Sequence, residues 1–358
     1  MSNSKSTESS REHEVATAAG AGLLEKMKNS HIGPRSLLML SSILYASSYP
    51  LIAVMNNSYP PSFTTMARMI LAFIPLLPFL PQLDRNLRFM SIFSGCFEAA
   101  AHITLSLALV HTSPPRASFL GCLTVIICPI MDAVFDGRDL SLCKAPQVWL
   151  AAALSLAGVA VLELYSSSED DTEDIITSYA NEMLGDGLAV LSALAMSVCF
   201  YTTEKMLKDS TNQVLPIIAV QVGVSAVIST VWCVVERWAL HSWTQSYNLP
   251  GSLFQQAMLP ATFAILWSGL ISTDLNFLLE TTALEKVTSS KAAVILATEP
   301  LWVALFCFFY FRDSFDVDDL VGGILVVLAC VVSGWEPLES DDVTGSHNTE
   351  PLIPPTEG

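Results

Sequence analysis

Glu98 and His102 stand four residues apart inside one apolar stretch, a spacing that puts both on one face of a helix. A carboxylate beside an imidazole can share and pass a proton. Asp274 falls in a second apolar stretch with Asn276 two residues on, and Lys291 and Glu299 fall in a third. An ionisable group held in an apolar medium costs roughly a few kcal/mol, so it faces a cavity or a partner. Glu98, His102, Asp274, Asn276, Lys291 and Glu299 are therefore the candidate solute-binding residues, with proton coupling through one of Glu98, His102 and Asp274. A static helix–helix hydrogen bond is the alternative reading for those three.

Four further features bear on the same chemistry. Arg116 and Lys291 can each present positive charge to an anion, or snorkel to an interface, and Arg116 is placed with Arg68 and Pro300 as structural or gating. Arg68 is placed as an architectural cation that holds a carbonyl or an acid. Glu299 precedes Pro300, and a proline within a helix frees the carbonyl four residues back, here that of Leu296. That makes either a gating hinge with a polar notch or a plain kink. Tyr45, Tyr49, Trp267 and Trp302 can stack on a ring or anchor at a lipid interface. With no CxxC pair and no histidine cluster at ligand spacing, neither a metal nor a disulfide framework is expected. No cofactor and no catalytic residue is expected either.

The elements that position these residues follow from composition. Of 358 residues, 52% are apolar and only 14% charged, and the net charge is −17. Soluble domains carry about 25% charged residues. With a mean hydropathy of +0.50, one soluble core could not hide this surface, so most of the chain must meet lipid. The acid excess argues against nucleic acid as a partner. Apolar segments run over 37–55, 62–81, 89–110, 117–135, 146–165, 185–204, 213–235, 258–281, 288–310 and 318–335. Each has the roughly 20 residues that a bilayer-crossing helix needs. Barrel alternation is absent, so the fold class is an all-α membrane protein of ten transmembrane helices. The 236–257 connection has room for an interfacial helix.

Basic residues orient the chain. One side receives Lys5, Arg11, Lys26, Lys28, Arg35, Arg85, Arg88, Arg138, Lys144, Lys205, Lys208 and Lys286, and the other only Arg116, Arg237 and Arg312. Both termini are thus expected in the cytosol, as disordered tails over 1–36 and 336–358. The acidic 166–183 loop, with Glu169, Asp170, Asp171, Glu173 and Asp174, falls on the opposite side. Residues 1–36 contain no apolar h-region, so no cleavable signal peptide is expected.

The chain also repeats. At a constant offset of 175 residues, "ALVHTSPPRASFLGC" from Ala108 lies over "ALEKVTSSKAAVILA" from Ala283, and Arg116 falls on Lys291. "FDGRDL" then falls on "YFRDSF". The halves are 37–165 and 184–335, with five helices each. Five is odd, so the second half inserts upside down, and such inverted repeats build secondary transporters with a site at the midplane.

The motifs resemble those of the drug/metabolite transporter superfamily, specifically EamA-type permeases, over roughly 35–335. The resemblance rests on "LLMLSSILYASSYPLIAV", on "TTMARMILAFIPLLPFL" with Arg68, and on "TSPPRASFLGCLTVIICPIMDAVFDGRDLS". It continues in "GDGLAVLSALAMSVCFYTTEK" and "SSKAAVILATEPLWVALFCFFYFRDSF", the latter with the Glu299-Pro300 pair and Asp313, and ends at Gly322, Gly323 and Gly334. The first half lacks a Glu-Pro pair, and the aromatic often found before "SSYP" is missing. The resemblance implies a central cavity and alternating access for a small-molecule solute, but not which one.

No phosphate loop suggests a pump. "LGDGL" at 184–188 resembles an intramembrane aspartyl protease motif only superficially, and a transport-inactive scaffold is the third class. Sugar phosphates and nucleotide sugars need several cavity cations, so the acids Glu98, Asp274, Glu280 and Glu299 favour a neutral or cationic solute, with the phosphorylated class as the alternative. The expected partners are the solute, lipid and, on the proton-coupled reading, protons. The location is a plasma membrane or endomembrane. Oligomeric state is not legible.

Overall fold

In a computed structural model of the chain, the described residues are 33–136, 175–210, 213–240 and 258–311, with positions 150, 153, 154, 157, 321, 324, 325, 328 and 332. The fifth and tenth apolar segments lie almost wholly outside these. So do both tails beyond Gly33, the acidic cluster 169–174, Glu163, Arg138, Arg312, Asp313 and the glycines at 322, 323 and 334.

All regular elements among the described residues are helical. They are α1 (Pro34–Ala46), α2 (Ser48–Ser58), α3 (Pro61–Leu76), α4 (Arg88–His111), α5 (Pro114–Gly121) and α6 (Thr124–Asp136). The second half has α7 (Ile175–Asp209), α8 (Val214–Leu240), α9 (Met258–Leu266), α10 (Asn276–Leu284), α11 (Ser289–Leu296) and α12 (Glu299–Phe311). Joined end to end they make seven stretches long and apolar enough to cross a bilayer: Pro34–Asn56, Pro61–Gln82, Arg85–His111, Pro114–Phe135, Asn181–Lys208, Val214–Trp238 and Thr262–Leu284. Glu299–Tyr310 is a shorter apolar helix. Phe89 and Trp238 are each 82% exposed, which is the surface expected of a chain solvated by lipid rather than water.

Several expected straight helices are interrupted, each for a local reason. The first breaks at Ser47, whose hydroxyl donates to Leu44 O at 2.6 Å. Pro50 follows and has no amide to return to Ala46. Trp267 Nε1 donates to the same hydroxyl at 3.0 Å, so this tryptophan is tied to the break. The second ends its α-helix at Leu76 just after Pro75 and tightens into a 3-10 turn over Leu77–Gln82. The eighth carries a π-helical stretch, Trp267–Leu275, in which Thr273 Oγ1 donates to Ser268 O at 2.7 Å. The sixth starts at Ile175, ahead of the expected 185, so the last part of the expected acidic loop is helix.

Packing brings the halves together. The most extensive contact is between α4 and α7, followed by α8 against α3 and α4, and α10 against α1. Gly95 makes the α4–α8 approach possible, since a Cβ there would lie 3.0 Å from the Gln221 backbone. Gln221 Nε2 in turn donates to Ser94 Oγ and Thr203 Oγ1, both at 2.7 Å. Small and hydroxyl-bearing residues at such crossings let backbones close up and hydrogen-bond where lipid offers no hydrophobic drive. Asn56 Nδ2 donates to Ser106 O at 2.9 Å, while its Oδ1 accepts from Thr64 at 3.1 Å. The lone N-x-S sequon is therefore spent on helix contacts.

Candidate functional site

A cavity of about 60 Å³ lies between the halves, room for a few water molecules. α1 and α2 line it with Ser41, Tyr45 and Tyr49, α4 with Leu105, and α5–α6 with Ala117, Ser118, Gly121, Cys122 and Thr124. From the second half, α7 contributes Ala189, Ser192, Ala193, Met196 and Phe200. α10 contributes Asn276 and Glu280, and the α11–α12 junction contributes Leu296, Ala297 and Glu299.

Two broken helices meet at this cavity. α5 ends at Gly121 and α6 restarts at Thr124, while α11 ends at Leu296 and α12 restarts at Glu299. Pro300 therefore stands in the first turn of a new helix, where its missing amide has no bond to lose. The expected kink inside one helix is replaced by a full interruption at Ala297-Thr298. Glu299 sits at the positive end of α12 and shares the cavity wall with Tyr49. Beside it runs a chain of hydrogen bonds: Ser41 Oγ donates to Asn276 Oδ1 at 2.7 Å, and Asn276 Nδ2 donates to Glu280 Oε2 at 3.4 Å.

The expected residues divide into three groups. Asn276 and Glu299 are on the cavity. Glu280 joins them although it was counted only among the intramembrane acids. Its spacing of four from Asn276 was the available signal, because it places both on one face of α10.

Glu98, His102 and Arg68 form a second, fully buried group that does not line the cavity. His102 lies between the rings of Tyr45 and Phe277, at centroid distances of 6.4 and 5.8 Å. Its Nδ1 is 3.2 Å from Arg68 Nη2. A guanidinium only donates, so Nδ1 is the acceptor and carries no proton in this contact. The expected carbonyl or acid partner of Arg68 is thus an imidazole. Ser225, beside Glu98, gives its hydroxyl to Gly95 O at 3.2 Å. Both Glu98 oxygens and His102 Nε2 are left without a hydrogen bond among the described residues. The two share a helix face as expected but not a hydrogen bond.

The third group does not line the cavity. Asp274 ends the π-helical stretch and is partly exposed, and Lys291 is exposed in the first turn of α11. Lys291 N donates to the Thr288 hydroxyl at 3.4 Å, which caps that helix. Neither Asp274 nor Lys291 lines the cavity. The reason for Lys291 is that α11 starts only at Ser289, leaving the lysine at the helix end. Trp267 and Trp302 do not line it either.

Ionic clusters flank the cavity-lining part of α7. At one end Arg116 donates from Nη2 to Asp186 Oδ2 at 2.7 Å and from Nη1 to Glu182 Oε2 at 3.3 Å. Thr112 Oγ1 donates to Asp186 Oδ1 at 3.2 Å. At the other end Glu204 accepts from Lys208 and, at 2.6 Å, from Ser289 N at the start of α11. Ser290 Oγ donates to Asp132 Oδ2 at 2.5 Å. Arg116 thus forms an ion-pair clamp between the halves.

The profile of the EamA-like transporter family matches the sequence twice, over residues 35–164 and 183–335. The chain belongs to this family. Each matched half of this EamA-like transporter supplies one of the broken helices at the cavity. A solved structure titled "Crystal structure of protein" aligns with a TM-score of 0.57 at 15% identity, covering 84% of this chain and 96% of its own. At that identity the likeness is one of fold. No curated protein matches the transporter's sequence.

Proposed function

We propose that the protein is a secondary transporter that moves a small organic metabolite by alternating access, with the solute held in the cavity between the halves. The observation that carries this reading is the meeting of two interrupted helices at that cavity. Interrupted helices expose backbone termini at membrane depth, where they can hold a polar solute without a lipid-facing cost. The flanking clusters suit gates: Arg116–Glu182–Asp186 and Glu204–Lys208–Ser289 sit about 27 Å apart along α7 at ~1.5 Å per residue. Opening one while the other holds exposes the cavity to one side at a time.

In this reading the chain has ten spanning helices in two inverted halves, with 146–165 and 318–335 supplying the fifth and tenth. The bias of basic residues supports cytosolic termini, and the membrane is a plasma membrane or endomembrane. Glu98 is the proton-coupling carboxyl, since it is buried and neither oxygen is hydrogen-bonded among the described residues. The phosphorylated-solute alternative is disfavoured because no Lys, Arg or His lines the cavity among the described residues.

The test is uptake into proteoliposomes of purified protein, using a panel of amines, sugars, amino acids and sugar phosphates, with and without a pH gradient. Saturable accumulation that is lost in Arg116→Glu supports the reading. Absence of protein-dependent uptake across the panel removes it.

A further inference from the structure

We infer that the cavity selects a small organic amine in its cationic form, held between the carboxylates of Glu280 and Glu299. This rests on the reading of the cavity as the solute site. The first observation is the contrast among buried acids. Those flanking the cavity are answered from within the chain: Asp186 by Arg116, and Glu204 by Lys208 and the amide of Ser289. Those on the cavity have only neutral neighbours along its lining: Glu280 accepts from Asn276 Nδ2, and Glu299 lies on the same wall as Tyr49. Two carboxyl groups in a space without a lining cation are neutralised either by protons or by a cation that the solute brings, because an uncompensated charge at this depth is costly.

The second observation is the rest of the wall. Tyr45 and Tyr49 meet edge to face with centroids 5.8 Å apart, and Phe200 lines the same space from α7. Ring faces attract ammonium groups, and do so more strongly where water is excluded. A carboxylate pair with aromatic walls therefore favours a cation over its neutral isostere and repels an anion. The modest volume restricts the occupant to a small headgroup.

The pair of probes that isolates charge from shape is choline and 3,3-dimethylbutan-1-ol, the same skeleton with and without the positive charge. Putrescine, glucose and glucose 6-phosphate complete the set. Thermal stabilisation of purified protein in detergent reports binding, and proteoliposome uptake reports transport. Choline or putrescine is expected to stabilise and accumulate, and the alcohol, glucose and glucose 6-phosphate are not. Glu280→Gln and Glu299→Gln keep shape and hydrogen bonding, and each should weaken amine binding by on the order of tenfold or more. Their elution and unliganded melting temperatures control for folding.

Equal stabilisation by choline and the alcohol overturns the cationic assignment. So does unchanged amine binding by both carboxamide variants, or preferential uptake of glucose or glucose 6-phosphate. In each of those outcomes saturable transport leaves the transporter reading standing. Protein that inserts correctly but neither binds nor moves any of these probes overturns the cationic assignment, and the transporter reading falls only if the wider panel also shows no protein-dependent uptake.

Discussion

Cys122 donates from Sγ to the carbonyl oxygen of Ala297 at 3.7 Å, and the two residues are 175 positions apart. That separation is the offset of the internal repeat, so each is the other's counterpart in the opposite half. Counterparts can touch only near the axis that relates the halves. Both stand at helix interruptions on the cavity wall. The site is thus built where the symmetry folds the chain onto itself, and a carbonyl freed by one break is met by a thiol from the other.

Bulk at this point should be poorly tolerated. Cys122 is buried at 4% exposure, so Cys122→Leu must displace the facing break, at a cost of about 1–3 kcal/mol. Cys122→Ala removes the thiol without adding bulk. The expected outcome is a lower melting temperature and reduced uptake for the leucine variant, and near-normal behaviour for the alanine one. Thermal melts of the two in one detergent decide it.

The Arg116 clamp should behave as a coupled pair. Arg116→Ala and Asp186→Asn each leave a partner behind, and the double variant should lose less than the sum. A double-mutant cycle on thermal stability is expected to give a coupling of about 0.5–3 kcal/mol. A coupling of zero would remove the clamp.

At the opposite end, Glu204 caps α11 through the amide of Ser289. Glu204→Ala should destabilise by about 1–2 kcal/mol, as the loss of an N-terminal capping acceptor does. Lys208 is half exposed, and Lys208→Ala should cost less than about 1 kcal/mol. Comparing the two melts tests whether the carboxylate serves the helix end or the lysine.

Gly95→Ala places a methyl group 3.0 Å from the Gln221 backbone, where no rotamer change can relieve it. The α4–α8 crossing should open, lowering stability by about 1–3 kcal/mol. It should also weaken the hydrogen bonds of Gln221 to Ser94 and Thr203. Exchange protection of the α8 amides would report this directly, and unchanged protection would contradict it.

His102→Gln keeps an acceptor for Arg68, whereas His102→Leu leaves a buried guanidinium donor unmatched. The leucine variant is expected to lose about 1–3 kcal/mol more than the glutamine variant. Equal melts would show that Arg68 is satisfied elsewhere.

Helical class, lipid solvation, the repeat and the family were legible in the sequence, because they depend on sums and periods. Counting apolar residues says what must meet lipid, and the 175-residue offset needs only alignment. The helix interruptions were half legible. Pro300 signalled one, but whether a proline kinks a helix or starts a new one depends on what the freed carbonyls meet, here the wall of Cys122. The membership of the site was decided by rotation about helix axes and by where helices begin. Glu98 and Glu280 look alike as lone acids in apolar runs, yet the first packs against α8 near Ser225 and the second opens on the cavity. Arg116 and Lys291 are equivalent by repeat, yet one is clamped by Asp186 and the other ends up exposed on the first turn of α11. Sequence sets which side chains are costly to bury. Only the packing of one half against the other determines which of those costs is met by the protein and which is left for a solute.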